Sequence, residues 1–317
     1  MPHERSAIPA RQPAGQAGGA VAVLLGAAAW GSTGTAAHFA PASASTASIG
    51  AARIALGGLL LLSVALCTAE RRRAVCRLLR AGGTARAALV VAAAAVAGYQ
   101  VCFFAAVKAT GVAIGTVVAI GSAPVLTGAL SRLTGGPRLD ARWMAATVAA
   151  VAGCAVLVTG GETAGVDIAG VALAVAAGLC YAIYAVTASR LISADNPESA
   201  VMGLFFGVAA VLLAPVLAAG SPGWLLTGRG AAVTVYLGVV TTALAYLSYG
   251  RGLRTVSAPV AVTLGLAEPV VAAILGLVVL GERLTATDIA GLALVGVALG
   301  TLVGARAPVS PPPSLPG

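Results

Sequence analysis

The sequence predicts an all-α integral membrane protein of ten transmembrane helices, arranged as two inverted five-helix repeats. Three observations carry that expectation. First, the chain is 59% hydrophobic and 9% charged, with a mean hydropathy of +0.98. A soluble domain carries about 25% charged residues, so this much apolar surface needs lipid as its solvent. Second, the apolar runs last about 20 residues, the length of a membrane-crossing helix, and lack the ten-residue alternation of barrel strands. A backbone in lipid must satisfy its own hydrogen bonds, which a helix does within one segment. Third, several short motifs occur twice, in the same order.

Residues 1–17, "MPHERSAIPARQPAGQA", are polar and basic and are expected as a disordered tail. The spans follow at about 19–38, 46–69, 87–107, 112–131, 143–160, 168–190, 199–219, 231–249, 258–280 and 287–304, with "ARAPVSPPPSLPG" as a proline-rich C-terminal tail. A basic tail, an apolar run and "ASA" at 42–44 also resemble a secretory signal, but the run is long for one and the repeat needs it as a helix. Lys and Arg set the direction. With the N-terminus in the cytoplasm, the inside segments hold fifteen and the outside segments three (Lys108, Arg229, Arg283), while Arg53 lies within a span. That asymmetry predicts both termini in the cytoplasm. It also accounts for the net charge of +9 without a nucleic-acid partner. The "ERRRAVCRLLR" cluster anchors the loop after the second span. The five cysteines are scattered with no CxxC, so neither a disulfide nor a metal site is expected.

The repeat is read by comparing "SAPVLTGALSRLTGGPRLD" (122–140) with "AEPVVAAILGLVVLGERLT" (267–285). The offset of 145 places Pro124 on Pro269, Gly136 on Gly281 and Arg138 on Arg283 without a gap. Earlier, "GAVAVLLGAAAWGS" from Gly19 parallels "GVALAVAAGLCYAI" from Gly170, which places Trp30 on Tyr181. The expected domains are therefore a first repeat over 18–161 and a second over 162–304. Five spans is an odd number, so the second repeat starts from the opposite side of the membrane. Inverted repeats are the common plan of secondary transporters, with substrate sites near the midplane.

These residues resemble the EamA branch of the drug/metabolite transporter superfamily. The resemblance covers residues 19–304. It rests on "AAWGS", "AARIALGGLLLL" with Arg53, and "SAPVLTGALSRL" in the first half. In the second half it rests on "GLCYAIYAVTASRL", "TTALAYLSYGRGLRTVSAPVAVTLGLAEPVVAAILGLVVLGERLT" and "GLALVGVALG". Two positions depart from the family pattern: Pro137 stands where the first half usually has glutamate, and Tyr181 where the sixth helix often has Trp. The resemblance implies an exporter or exchanger of small metabolites such as amino acids, amines or drugs, driven by ion or substrate gradients. The chain has no GxxxxGK[ST] phosphate loop and no cofactor is expected.

Glu268 is the first candidate residue. A charged side chain at membrane depth costs roughly 2.5–3.5 kcal/mol on insertion scales and normally faces a cavity or a partner. It could exchange a proton during transport, or brace the kink that Pro269 makes by removing a backbone donor. Arg53 could pair with Glu268, meet a substrate carboxylate, or snorkel to the interface. Trp30, Tyr99, Gln100, Tyr181, Tyr184, Tyr246 and Tyr249 are the scarce polar and aromatic residues at span depth and form a candidate cavity lining for a small amphipathic solute. Each alone also fits helix packing. Lys108 and His38 are expected at the outer interface. Gly296, Gly300 and Gly304 form GxxxGxxxG, a seam for close helix packing within the chain or in a homodimer. A passive channel or facilitator and a sensory or structural membrane protein are alternative readings. A membrane enzyme is disfavoured, because the ten acidic residues are dispersed and His38 shares its helix with Ser32.

Overall fold

The computed structural model describes residues 13–136, 139–159, 167–281 and 285–303, and every regular element among them is helical. The helices are α1 (Pro13–His38), α2 (Thr46–Leu66), α3 (Ala69–Leu79), α4 (Gly83–Thr110), α5 (Val112–Leu133), α6 (Ala141–Thr159), α7 (Ile168–Ser193), α8 (Glu198–Ala219), α9 (Gly228–Gly238), α10 (Ala245–Gly252), α11 (Ala258–Leu264), α12 (Ala267–Val279) and α13 (Ala286–Val303). A π turn at Val239–Leu244 joins α9 to α10, so Gly228–Gly252 crosses as one span, and α11 with α12 forms another. Among the described residues nine stretches are long and apolar enough to cross a membrane, and α6 supplies a shorter apolar helix between two of them. This is a ten-helix membrane protein.

Local chemistry explains several of the helix starts. Ser45 caps α2 by accepting from the Ser48 amide, Thr68 caps α3, and Asp167 caps α7 through the Gly170 amide. Thr285 and Asp288 bond reciprocally at the start of α13, a capping box. α1 begins at Pro13, inside the stretch expected as tail. The remainder of that tail, the C-terminal tail, Pro137, Arg138, Glu282, Arg283 and Gly304 lie outside the described residues. The arginine cluster expected as a loop is instead the helix α3. It packs Ala74, Val75 and Leu78 inward and leaves Arg72, Arg73 and Arg77 exposed, so its apolar side docks on the bundle while its charges stay at the surface.

Packing follows a twofold pattern. α4 lies on α7 as α1 lies on α10, α5 on α7 as α1 on α12, and α4 on α8 as α2 on α9. Two pairs, α2 with α8 and α6 with α13, cross the pattern's centre. The α2–α8 crossing is close because it uses glycine: a Cβ on Gly58 would run into the carbonyl of Phe206, and one on Gly203 would sit 2.8 Å from the carbonyl oxygen of Leu61. By contrast, a Cβ on Gly296 or Gly300 would meet nothing within 4 Å, and both are exposed. Within the chain these two glycines do not form the close seam that their spacing allowed.

Candidate functional site

The span made by α11 and α12 is broken. Two residues, Gly265 and Leu266, form a tight turn, and α12 restarts at Ala267. Proline explains part of this. Pro269 has no amide proton to give Gly265, whose carbonyl instead accepts from the Glu268 amide at 2.9 Å. The buried Leu266 carbonyl accepts from the Cys154 thiol at 3.8 Å. The break places Glu268 in the first turn of α12, at the positive end of that helix's dipole, which favours a carboxylate. α1 fits closely here, since a Cβ on Gly31 would lie 2.6 Å from the Glu268 carbonyl oxygen.

Glu268 opens onto a cavity of about 750 Å³, within the usual range for small-molecule sites. The cavity lies among α1, α2, α4, α5 and α12 and reaches the membrane end opposite α3, where Ala37, Thr46 and Val112 line it. Of the predicted residues, Trp30, Arg53, Tyr99, Gln100, Glu268 and Pro269 all line it. A smaller recess of about 40 Å³ continues inward, bounded by Trp30, Arg53, Tyr99, Tyr181, Tyr184, Tyr246 and Glu268. The rings form one connected group. Trp30 is 4.9 Å from Tyr246 and 5.3 Å from Tyr249, Tyr181 stacks on Tyr184 at 5.0 Å, and Tyr99 meets Tyr181 edge-on at 6.2 Å. Tyr249 belongs to the ring cluster but lines neither space and is fully buried.

Arg53 and Glu268 face the same two spaces, close enough for their charges to act on each other, without a salt bridge between them. Among the described residues neither side chain has a hydrogen-bond partner, nor has the amide of Gln100, although Gln100 is 4% exposed. Trp30 Nε1 and Thr33 Oγ1 are likewise buried without a partner. A polar group without a protein partner is costly to bury, so the guanidinium, the carboxylate and the Gln100 amide are the groups available to a solute in this aromatic-walled chamber, while the indole N–H and the Thr33 hydroxyl are sealed behind its surface. The ion pairs of the described chain lie elsewhere. Glu198 accepts from Arg254 at 2.9 Å and lies 3.7 Å from Arg251.

Sequence reasoning overlooked Thr33, Phe103, Phe104, Thr116 and Asp288 as lining residues. Phe103 lies one helical turn beyond Tyr99 and stacks on it at 5.6 Å, so helical spacing was the signal available. Asp288 lines the mouth, but its carboxylate is committed to the cap of α13. His38 and Lys108 are exposed at the end opposite α3.

The chain was compared with known proteins. The model of the EamA-like transporter family matches it twice, over residues 17–159 and 168–304. An uncharacterized transporter of Bacillus subtilis, YwfM, is 38% identical over 90% of this chain and 93% of its own length. The threonine/homoserine exporter RhtA of Salmonella typhimurium is 31% identical over 46% of this chain and 50% of its own. A chain of known crystal structure has the same fold, with a TM-score of 0.75 at 20% identity over 89% of this chain and 95% of that one. A family match over both halves, a full-length relative named as a transporter and a midspan chamber converge on one conclusion: the chain belongs to the EamA-like transporter family.

Proposed function

We propose that this transporter exports a small amphipathic metabolite, of the size and charge pattern of an amino acid or amine, by alternating access, with Glu268 coupling the movement to protons. The observation that carries the reading is the chamber itself. It reaches one membrane end only and stops at a carboxylate, a guanidinium and an aromatic cluster. Arg53 suits a substrate carboxylate. The ring faces of Trp30 and Tyr246 suit an ammonium or an apolar side chain. Glu268 is the group that can accept a proton or a substrate cation in turn. The twofold packing, with five spans in each half, supports two repeats of opposite orientation, the arrangement that lets one site face either side. By the positive-inside rule the arginines of α3 support a cytoplasmic position for its end of the bundle, and with it an outward-facing chamber and cytoplasmic termini. The exporter named among the relatives moves threonine and homoserine and supports an amino-acid-like cargo.

The test is uptake of labelled amino acids and amines into inside-out vesicles, with and without a proton gradient, for wild type and Glu268→Gln. Wild type should accumulate a solute only with the gradient, and the variant should only equilibrate it. If both equilibrate it alike and neither responds to protons, Glu268 is structural and the protein is a facilitator or exchanger.

A further inference from the structure

We propose that the substrate path has a second vestibule at the α3 end, closed in this structure, lined by Tyr184, Ala188, Met202, Phe205 and Tyr249, and selective for the apolar part of the solute. The inference rests on the alternating-access reading above and extends it to named residues.

The two halves can be matched position by position. Gly19 and Gly170 correspond, and their surroundings agree. A Cβ on Gly19 would strike Thr255 and come within 3.0 Å of Val256, and one on Gly170 would strike Thr110 and come within 2.8 Å of Ala109. Those neighbours occupy equal places before the caps of the next helices, since Ala109 and Thr110 immediately precede Gly111 as Thr255 and Val256 immediately precede Ser257. The helix starts supply the remaining registers. Gly50 and Met202 are each the fifth residue of α2 and α8, and Arg53 and Phe205 each the eighth. Phe103 stands eight residues before Gly111, as Tyr249 does before Ser257.

With these registers, five residues of the outward chamber have counterparts that are packed into the core, while Trp30 and Gln100 are matched by Tyr181 and Tyr246, which bound the recess where the two paths meet. Thr33, Ala37, Gly50, Arg53 and Phe103 line the chamber. Their partners Tyr184, Ala188, Met202, Phe205 and Tyr249 are buried, four of them completely. The chemistry differs as sharply as the exposure. Arg53 is matched by Phe205, and Glu268, through the aligned prolines, by Ala123. The closed vestibule therefore holds two tyrosines, a methionine and a phenylalanine but no charge, while Glu198 with its two arginines stands at its mouth. A solute leaving the cytoplasm meets an apolar, aromatic wall before it meets the charged pair, which favours solutes that carry an aliphatic or aromatic group. Met202 and Phe205 are the specificity-determining positions.

Gly34 marks how the outward side closes. It lies within α1, where glycine is disfavoured relative to alanine. Its backbone is outside the left-handed region, it is exposed to the chamber, and a Cβ would meet nothing within 4 Å. Nothing in this state calls for glycine. Its counterpart Ala185 is completely buried. The small residue is accounted for if the outer end of α1 packs down in the other state as the inner end of α7 packs here.

The experiment uses Ala37→Cys and Ala188→Cys in a background with the five native cysteines replaced by alanine and transport retained. A membrane-impermeant maleimide is applied from either side. Ala37→Cys should react from the side opposite α3 and Ala188→Cys from the α3 side. Adding Gly34→Trp, or the smaller Gly34→Leu, should leave the first reaction intact, abolish transport and slow the second by about tenfold or more, because labelling follows the population of the open state. Reciprocal labelling in a protein that moves none of the tested solutes supports the vestibule and counts against the proposed cargo. A transporting protein whose Ala188→Cys never reacts from the α3 side overturns the inference. So does a Gly34→Trp variant that labels and transports as its parent does.

Discussion

Two threonines hold α6 to the helix that breaks before Glu268, and their hydrogen bonds have a direction. Thr147 Oγ1 and Thr263 Oγ1 are 3.0 Å apart, and both residues are buried. Thr263 also donates to the Pro259 carbonyl at 3.0 Å. A hydroxyl has one proton, so Thr263 gives its own to Pro259 and receives that of Thr147. Thr147→Val removes the donor and strands no proton. It should cost about 0.6 kcal/mol, the average for an interhelical bond in a membrane protein. Thr263→Val removes the same bond and leaves the Thr147 hydroxyl buried with its acceptor gone, so it should cost about 1.5–3 kcal/mol. The double variant should cost less than the sum, because no donor is left unpaired. Equilibrium unfolding in detergent micelles, with helicity as the signal, measures all three. A larger loss for Thr147→Val than for Thr263→Val, or strict additivity, would refute the assigned direction and with it the account of how the break is held.

Two further outcomes follow from the site and the core. Arg53→Gln removes a charge that no protein carboxylate pairs with directly, so stability should change little while the apparent affinity for a carboxylate-bearing solute falls by roughly ten- to a hundredfold, the worth of about 1.5–3 kcal/mol for a charged hydrogen bond; counterflow at graded solute concentration reads it, and an unchanged affinity would remove Arg53 from the binding role. Gly58→Val drives a side chain into the Phe206 carbonyl and should destabilise by about 1–3 kcal/mol, seen as a lower unfolding midpoint in micelles; no shift would mean that the α2–α8 crossing is looser than described.

The ten spans were readable because hydropathy over some twenty residues reports the thickness of the bilayer, which the chain cannot escape. The expected start of the second span, Thr46, is the start of α2, and that of the sixth, Ile168, is the start of α7. The candidate residues were readable for a related reason. A glutamate, an arginine, a glutamine and a few tyrosines are conspicuous against alanine and valine, and only a common cavity accommodates most of them. What hydropathy cannot see is a change of backbone that leaves composition untouched. The turn at Gly265–Leu266 leaves the apolar composition before Glu268 unchanged, so 258–280 read as one span kinked at Pro269 and not as two helices, α11 and α12. α3 was hidden differently: five arginines in or beside eleven residues look like a loop until Ala74, Val75 and Leu78 are recognised as one helical face. Position along a helix also fails to say which side of a cavity a residue takes. Tyr249 reads like Tyr246, yet it is sealed in the core while Tyr246 bounds the recess.

The wide turn between α9 and α10 bears on how such a chamber can arise. In a π turn each bond reaches one residue further than in an α-helix, so one extra residue is absorbed with little gain in length. Thr241 and Thr242 both donate to the Leu237 carbonyl, at 2.8 and 3.0 Å, and tie the widened turn together. Beyond it the helix is rotated by about one residue's worth of arc, roughly 100°. Tyr246 and Tyr249 meet Trp30 in that rotated frame. A single inserted codon is enough to swing a whole helical face from one neighbour to another without disturbing the membrane length on either side. In this protein the aromatic wall of the chamber stands downstream of such a step.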